Sequence, residues 1–314
     1  MSSAPLRLGT RRSPMAVTQS QLVGRALTAR TGREVQLVGI DSAGDRSQEL
    51  LTQIGGTGVF VSALRSSLLA GEVDFAVHSL KDLPVEPAAG IALAAVPPRD
   101  DPRDALIGRD GAKLADLPAG ARIGTGSPRR AAQLLLLRPD IHPVPVRGNA
   151  GTRLAKVETG ELDAVVLAHA GLARIGKLDA VSQVFEPDEM LPAAGQGALA
   201  VECCTGREDL VALLASIDDA VSRAATTAER TLLGGLEAGC AAPVGAYAAG
   251  TDVLRLSGLV VAADGGMALR GSASGTLAQA ETIGRQLAAD LLSRGAGRYM
   301  AVSGGHLSSG DDDK

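Results

Sequence analysis

The 314-residue chain predicts an α/β protein: two similar doubly wound domains with mixed sheets, then a small α+β C-terminal domain. Three observations lead there. Apolar runs of strand length alternate with segments of helical spacing, which calls for parallel or mixed sheets covered by helices. One short pattern occurs twice. Gly71-Glu72-Val73-Asp74-Phe75-Ala76-Val77 is echoed by Gly160-Glu161-Leu162-Asp163-Ala164-Val165-Val166, each a helix exit, a turn and an apolar strand. Finally, single cores stop growing near ~250–300 residues, so two or three domains are expected.

The elements follow in order. Residues 6–9 read as a first strand. Ser13 then supplies a helix cap and Pro14 a first-turn proline, opening a helix to about residue 30. Residues 35–40 form a second strand. Phe60, Leu64 and Leu68 stand at helical spacing within residues 59–69, and residues 75–77 and 91–96 are apolar strands. A polar stretch with prolines, 97–102, opens the second unit. Its strands are expected at 105–107, 122–124, 144–146 and 164–168, with helices through Leu134-Leu135-Leu136-Leu137 and near Leu154. From Ala220 the pattern changes. A long helix over about 222–236 precedes strands at 254–261 and 267–272 and a helix at 277–292. The Gly, Ser and Asp tail, 303–314, is expected to be disordered.

Composition excludes several function classes. Aromatics make up only 2% with no Trp, which argues against stacking platforms for single-stranded nucleic acid. The net charge of −4 argues against a general nucleic-acid binder, so any basic site must be local. Three cysteines (Cys203, Cys204 and Cys240) are too few and too odd for a disulfide framework. The four histidines lie far from them, so no metal site is expected. No apolar signal region and no run of membrane-spanning length is present, so a cytoplasmic protein without membrane contact is expected.

One loop stands out. Gly124-Thr125-Gly126-Ser127-Pro128-Arg129-Arg130 follows a strand and opens a helix. Backbone N–H groups at a helix start attract anions, and arginine forks suit carboxylate or phosphate. The plainer reading is a capped helix with two solvated arginines. Thr10-Arg11-Arg12-Ser13 repeats the arrangement, and Arg147-Gly148-Asn149 follows another strand end, with Arg153 in the next helix. Open α/β sheets bind ligands at strand C-terminal ends, so three arginine-bearing ends point to one shared anion cleft.

Three further segments could carry chemistry. Val77-His78-Ser79-Leu80-Lys81-Asp82-Leu83-Pro84 ends a buried strand in a polar run. Asp82 there fits an acid/base or a counterion to developing positive charge, or else a surface turn in which Lys81 pairs Asp82. Cys240, within Gly239-Cys240-Ala241-Ala242-Pro243, fits either a packed thiol or an exposed nucleophile. Leu191-Pro192-Ala193-Ala194-Gly195-Gln196-Gly197 fits a tight interdomain crossing, with or without ligand contact.

Taken together, with Asp100-Asp101-Pro102-Arg103-Asp104-Ala105, these segments resemble the porphobilinogen deaminase (hydroxymethylbilane synthase) family over residues 6–292. The resemblance implies an enzyme, a transferase of tetrapyrrole (haem) biosynthesis. Its cofactor is dipyrromethane, joined by a thioether to Cys240. Its substrate is porphobilinogen, four molecules of which are deaminated and joined head to tail before water releases hydroxymethylbilane. Asp82 matches the catalytic aspartate, which assists ammonia loss and stabilises cationic intermediates. Lys81, Ser13, Ser127, Arg129, Arg130 and Arg153 match cofactor-binding positions. Arg11, Arg147, Arg174, Gln196 and Phe60 match substrate-binding positions. Lys81 is expected to neutralise a cofactor carboxylate rather than merely pair Asp82. The resemblance also implies a monomer and a fold like that of periplasmic binding proteins. Domains are expected at 1–98 with 197–216, at 99–196 and at 217–300, with hinges near 98–102 and 195–197. Some positions depart from the family: Gln53 and Thr57 stand where many bacterial relatives have lysine, Gly126 replaces a frequent Ser, and Cys204 stands where arginine is common. The alternative is a non-enzymatic two-domain module that binds a small anion. The missing export signal, and Cys240 and Asp82 in the matching segments, speak against it.

Overall fold

The computed structural model describes residues 4–41, 58–238 and 242–300, with no side chains at 58–60. Gln53, Thr57, Cys240, the ring of Phe60 and the tail 303–314 therefore lie outside the described residues.

The first domain is built on β1 (Leu6–Arg11), α1 (Pro14–Thr31), β2 (Val35–Ile40), α2 (Gly58–Leu69), β3 (Phe75–Ser79) and β4 (Ile91–Ala95). Ser13 caps α1 by accepting from the Ala16 N–H at 3.4 Å, and Gly32 ends it at φ 70°. The second domain holds β5 (Asp104–Gly108), β6 (Arg122–Gly124), α3 (Pro128–Leu137), β7 (His142–Val144), α4 (Ala150–Glu158), β8 (Ala164–Ala168), α5 (His169–Arg174) and β9 (Gln183–Phe185). The chain then returns to the first domain as β10 (Leu199–Cys204) and α6 (Glu208–Leu214).

The two sheets share one plan. Their strand orders are β2-β1-β3-β10-β4 and β7-β6-β8-β5-β9. In each, the first three strands run parallel, and the fourth runs antiparallel to both its neighbours. That fourth strand, β10 or β5, is the one delivered by a crossing between the domains. The repeated sequence pattern ends in β3 and β8, which occupy equivalent places. Central strands are buried almost throughout, as the apolar runs predicted; Leu8, Phe75 and Ala76 are fully enclosed. Arg65 of α2 grips Glu202 of β10 with two bonds of 3.0 and 2.6 Å, and His78 Nε2 lies 3.3 Å from the same carboxylate. Burial alone would raise the Glu202 carboxyl, but His78 and Arg65 outweigh it and hold it at about 2.

Some boundaries differ from expectation. The strand expected at 144–146 is paired at His142–Val144, where Pro143 is tolerated because β7 is an edge strand and the missing N–H faces away from β6. Yet the Val146 N–H still donates to the Thr125 carbonyl at 3.4 Å. Of the run 198–201, read only as apolar, residues 199–201 belong to β10, and β9 carried no clear pattern.

The third domain contains α7 (Ala220–Gly235), β11 (Val244–Ala249), β12 (Leu254–Val261), β13 (Ala268–Gly275) and α8 (Ala280–Ser293). The antiparallel sheet β11-β12-β13 packs under α7 and α8 around Leu232, Leu256, Val260, Ile283 and Leu287. Two crossings, residues 97–103 and 192–198, join the first two domains and run side by side. The Asp100 N–H donates to the Gly197 carbonyl at 3.3 Å. Gly197 sits at φ +86°, and a Cβ there would lie 2.5 Å from the Asp100 carbonyl, so only glycine fits. Glu229 of α7, fully buried, fastens the third domain to both crossings. It pairs with Arg99 through bonds of 2.7 and 3.0 Å and accepts from the Gly195 and Ala248 N–H groups at 2.7 and 2.8 Å.

Candidate active site

The end of β3 turns sharply through a 3-10 turn, Leu80–Asp82. Leu80 is fully buried and anchors the turn, and its N–H donates to the Ala198 carbonyl at 3.0 Å. The Leu83 N–H closes the turn onto the Leu80 carbonyl. Arg230 of α7 donates to the Leu83 and Pro84 carbonyls at 3.0 and 2.6 Å, so the third domain clamps this loop. With Leu80 inward, Lys81 is half-buried and Asp82 is exposed.

Facing them is the start of α3. Ser127 caps it, accepting from the Arg130 N–H at 3.4 Å, with Pro128 in the first turn. The sequence placed Arg129 and Arg130 here as open anion ligands. Instead their side chains are almost wholly buried against Asp104, the first residue of β5. Asp104 lies 2.8 Å from Arg129 and 2.7 Å from Arg130. A guanidinium cannot shed its charge, so two buried side by side need a carboxylate between them. Burial works against the charge on Asp104, but Arg129 and Arg130 outweigh it and hold its carboxyl far below the usual range.

Lys81, Asp82, Ser127, Arg129, Arg130, Arg153 and Gln196 all line one cavity, closed on the third-domain side by Leu233, Ala242 and Val244. The cavity thus gathers seven residues that the sequence scattered across four segments. Lys81 does not pair with Asp82; its ammonium donates to the Gln196 side-chain oxygen at 3.3 Å. Burial, aided by nearby Arg130, pulls Lys81 down to about 8. Burial also lowers Arg153, again with help from Arg130, and its Nε donates to the Gly148 carbonyl at 3.0 Å. Among the described residues neither Lys81 nor Arg153 has a salt-bridge partner. A wall with surplus positive charge fits a ligand bearing several carboxylates, which is the chemistry of dipyrromethane.

Other expected residues stand apart. Ser13 spends its oxygen on the α1 cap, and Arg11 is half-buried at the end of β1. Arg147 is exposed just after β7. Arg174 is pinned at the crossings, 2.8 Å from Asp100 and donating to the Gly197 carbonyl at 2.7 Å. None of these four lines the cavity. Cys240 lies outside the described residues, but Ala242, two residues on, is on the cavity wall. At Gly126, a side chain would bring a Cβ to 2.9 Å from the Val146 carbonyl, so the loop here hugs its neighbour. Cys204 donates its thiol to the Leu68 carbonyl at 3.1 Å.

Sequence reasoning gave no role to Asp104, Arg99 or Glu229. The one available signal was a carboxylate opening an otherwise apolar strand, Asp104-Ala105-Leu106-Ile107, since a buried charge demands a partner.

Among the described residues no helix is long and apolar enough to cross a membrane, and no group of acidic, Cys and His side chains could hold a metal ion. A family model described as "Porphobilinogen deaminase, dipyromethane cofactor binding domain" matches residues 6–212, and the model of the family's C-terminal domain matches 224–293. The chain is 60% identical over 311 residues to the porphobilinogen deaminase of Thermobifida fusca, covering 96% of this chain and 97% of that one. It is 52% identical to porphobilinogen deaminase 1 of Streptomyces coelicolor, covering 96% and 98%. The enzyme of Mycobacterium tuberculosis is 50% identical, covering 94% and 98%. An ABC-transporter periplasmic substrate-binding protein from Coxiella burnetii aligns over 68% of this chain and 91% of its own at 14% identity. Its TM-score is 0.41. Sequence relationship over nearly the whole length, in both family domains, settles the matter: the chain belongs to the porphobilinogen deaminase family.

Proposed function

We propose that the chain condenses four porphobilinogen molecules head to tail on a dipyrromethane group carried by Cys240 and releases the linear tetrapyrrole by hydrolysis. The observation that carries this reading is the cavity. A free carboxylate, Asp82, and four cations, Lys81, Arg129, Arg130 and Arg153, surround a space that Ala242 lines just past Cys240. When bound, dipyrromethane would supply the free pyrrole carbon to which the first porphobilinogen is joined, each later unit joining the ring added before it. The cations hold the acetate and propionate groups of the pyrroles. Lys81 and Arg153 serve first, because neither is neutralised by a protein carboxylate among the described residues. Asp82 Oδ1 and Oδ2 make no side-chain hydrogen bond among the described residues and stay available to pyrrole N–H groups. There the carboxylate stabilises developing positive charge and moves the proton that departs with ammonia. Leu233 and Val244 give the cavity an apolar wall that limits water around that charge. Arg11, Arg147 and Arg174 take later carboxylates, beyond the cavity itself. Ser13 and Phe60 remain binding residues in this reading on the strength of the family match. The chain works as a monomer in the cytoplasm, which size-exclusion chromatography and fractionation would check. Family membership sets aside the non-enzymatic alternative.

Intact mass tests the cofactor. Protein made with porphobilinogen available is expected to carry an added dipyrromethane, and Cys240→Ser is expected to lack it. An unmodified Cys240 in the parent protein would sink the reading.

Lys81 gives a pH dependence with a defined sign. A ligand carboxylate favours the charged ammonium, whereas burial disfavours it. Anion binding therefore draws a proton onto Lys81 when the pH exceeds about 8. KM for porphobilinogen is expected to be flat below that pH and to rise above it. The limb above pH 8 should flatten in Lys81→Gln, and an unchanged limb would remove Lys81 as its source.

A further inference from the structure

Gln196 lines the cavity, yet its amide has nothing left to offer a ligand. Its side chain is fully buried. Nε2 donates to the Pro102 carbonyl at 2.7 Å and to Asp104 Oδ1 at 2.8 Å. Oε1 accepts from Lys81 Nζ and from Arg130 Nη2, each at 3.3 Å. A primary amide has two hydrogens and two lone pairs, and all four are taken. Asp104 is committed chiefly through Oδ1, while Oδ2 makes no hydrogen bond among the described residues and is held by charge alone. Oδ1 also accepts from Arg130 Nε at 2.9 Å, and Oδ2 lies 2.8 Å from Arg129 Nη1. Lys81 belongs to the first domain, Arg129 and Arg130 to the second, and Gln196 to the crossing between them. The Gln196 carbonyl is in turn held by Arg99 Nε at 2.8 Å.

We propose that Asp104 and Gln196 are positioning residues that lock Lys81, Arg129 and Arg130, from two domains, into one array spaced for the carboxylates of the growing pyrrole chain. The proposal rests on the functional reading above. Its logic is a sign. Asp104 cancels one positive charge beside a site for a polyanion, which net attraction alone would not favour. Held geometry is what the chain gains in return, because an oriented guanidinium presents its remaining N–H groups in a fixed fork. Gln196 adds no charge at all. Its contribution is to tie the Lys81 ammonium to the Arg130 guanidinium across the domain boundary.

Asp104→Asn separates the two roles. It keeps the side-chain shape but turns one acceptor oxygen into an N–H donor, and it makes the cavity more positive by one charge. Net attraction predicts tighter substrate binding, and positioning predicts weaker binding. The expected result is a KM for porphobilinogen about tenfold higher, a smaller change in kcat, and a lower fraction of chains carrying the cofactor mass. A KM equal to or below that of the parent protein would overturn the proposal. If Asp104→Asn does not fold, Gln196→Met decides, since it leaves Asp104 paired to both arginines. For that variant KM is expected to rise about threefold or more with thermal stability little changed, because one shared acceptor is lost. An unchanged KM overturns the proposal just as firmly. The parent protein measured alongside separates the two levels. An inactive, unloaded parent refutes the functional reading, whereas variants that match an active parent refute the positioning role alone.

Discussion

Asp82→Ala is expected to leave the chain folded and to lower kcat about a thousandfold, the range that a proton-transferring or charge-stabilising carboxylate commands. The fold should survive because Asp82 is exposed and no hydrogen bond of the described residues depends on its side chain. The turn is held instead by buried Leu80, by the Leu83 N–H and by Arg230 from the third domain. Stability is therefore expected to change by no more than about 0.5 kcal/mol, as for ordinary surface substitutions. A second signature accompanies the first. Asp82 is one of the charges that raise Lys81 against its burial, so removing it should move the Lys81 titration below about 8. Retention of more than a tenth of the parent kcat would end the catalytic assignment. Loss of activity with gross unfolding would instead show that the turn depends on Asp82.

Glu229→Ala is expected to cost about 3–5 kcal/mol of stability, the penalty for removing one member of a buried ion pair and stranding the other. Glu229 has no exposed surface, and its two oxygens serve Arg99 and two backbone N–H groups. Truncation orphans all three donors at the point where the three domains meet. Arg99 keeps only weaker contacts, its Nε on the Gln196 carbonyl and its guanidinium 5.7 Å from the Tyr247 ring. Glu229→Gln, which still accepts hydrogen bonds, should lose less. Combining Glu229→Ala with Arg99→Met should recover part of the loss, because the stranded charge is gone. Urea unfolding midpoints measure this cycle. A loss below about 1 kcal/mol for Glu229→Ala would show that solvent reaches the pair and that the junction is looser than described.

Much of this protein was legible one segment at a time. Ser13-Pro14 and Ser127-Pro128 open helices where the sequence said they would, because a cap and the first-turn proline act within one helical turn. The apolar runs that became β3, β8 and β12 could be read because side-chain periodicity is local. Asp82, Lys81 and the arginine loop announced themselves by residue type beside a strand end. The family resemblance supplied what spacing could not, namely the thioether-linked cofactor.

Tertiary structure decided the rest. Nothing within the run 198–204 says that it inserts between β3 and β4, more than a hundred residues earlier, since a strand's partner is chosen by packing. Arg129 and Arg130 read as solvent-facing forks, and only the arrival of β5 beside α3 buries them on Asp104. Arg174 read as a ligand group, and only the folded chain sets it beside Asp100 at the crossing. Arg99 and Glu229 stand 130 residues apart. No periodicity connects them; their pairing follows from the cost of leaving either charge alone in the interior. The sequence by itself determined the strands, the helices and the kinds of group the site contains. The folded chain decided which of those groups spend their charge on each other and which still face the cavity, because burial and charge pairing act between neighbours in space.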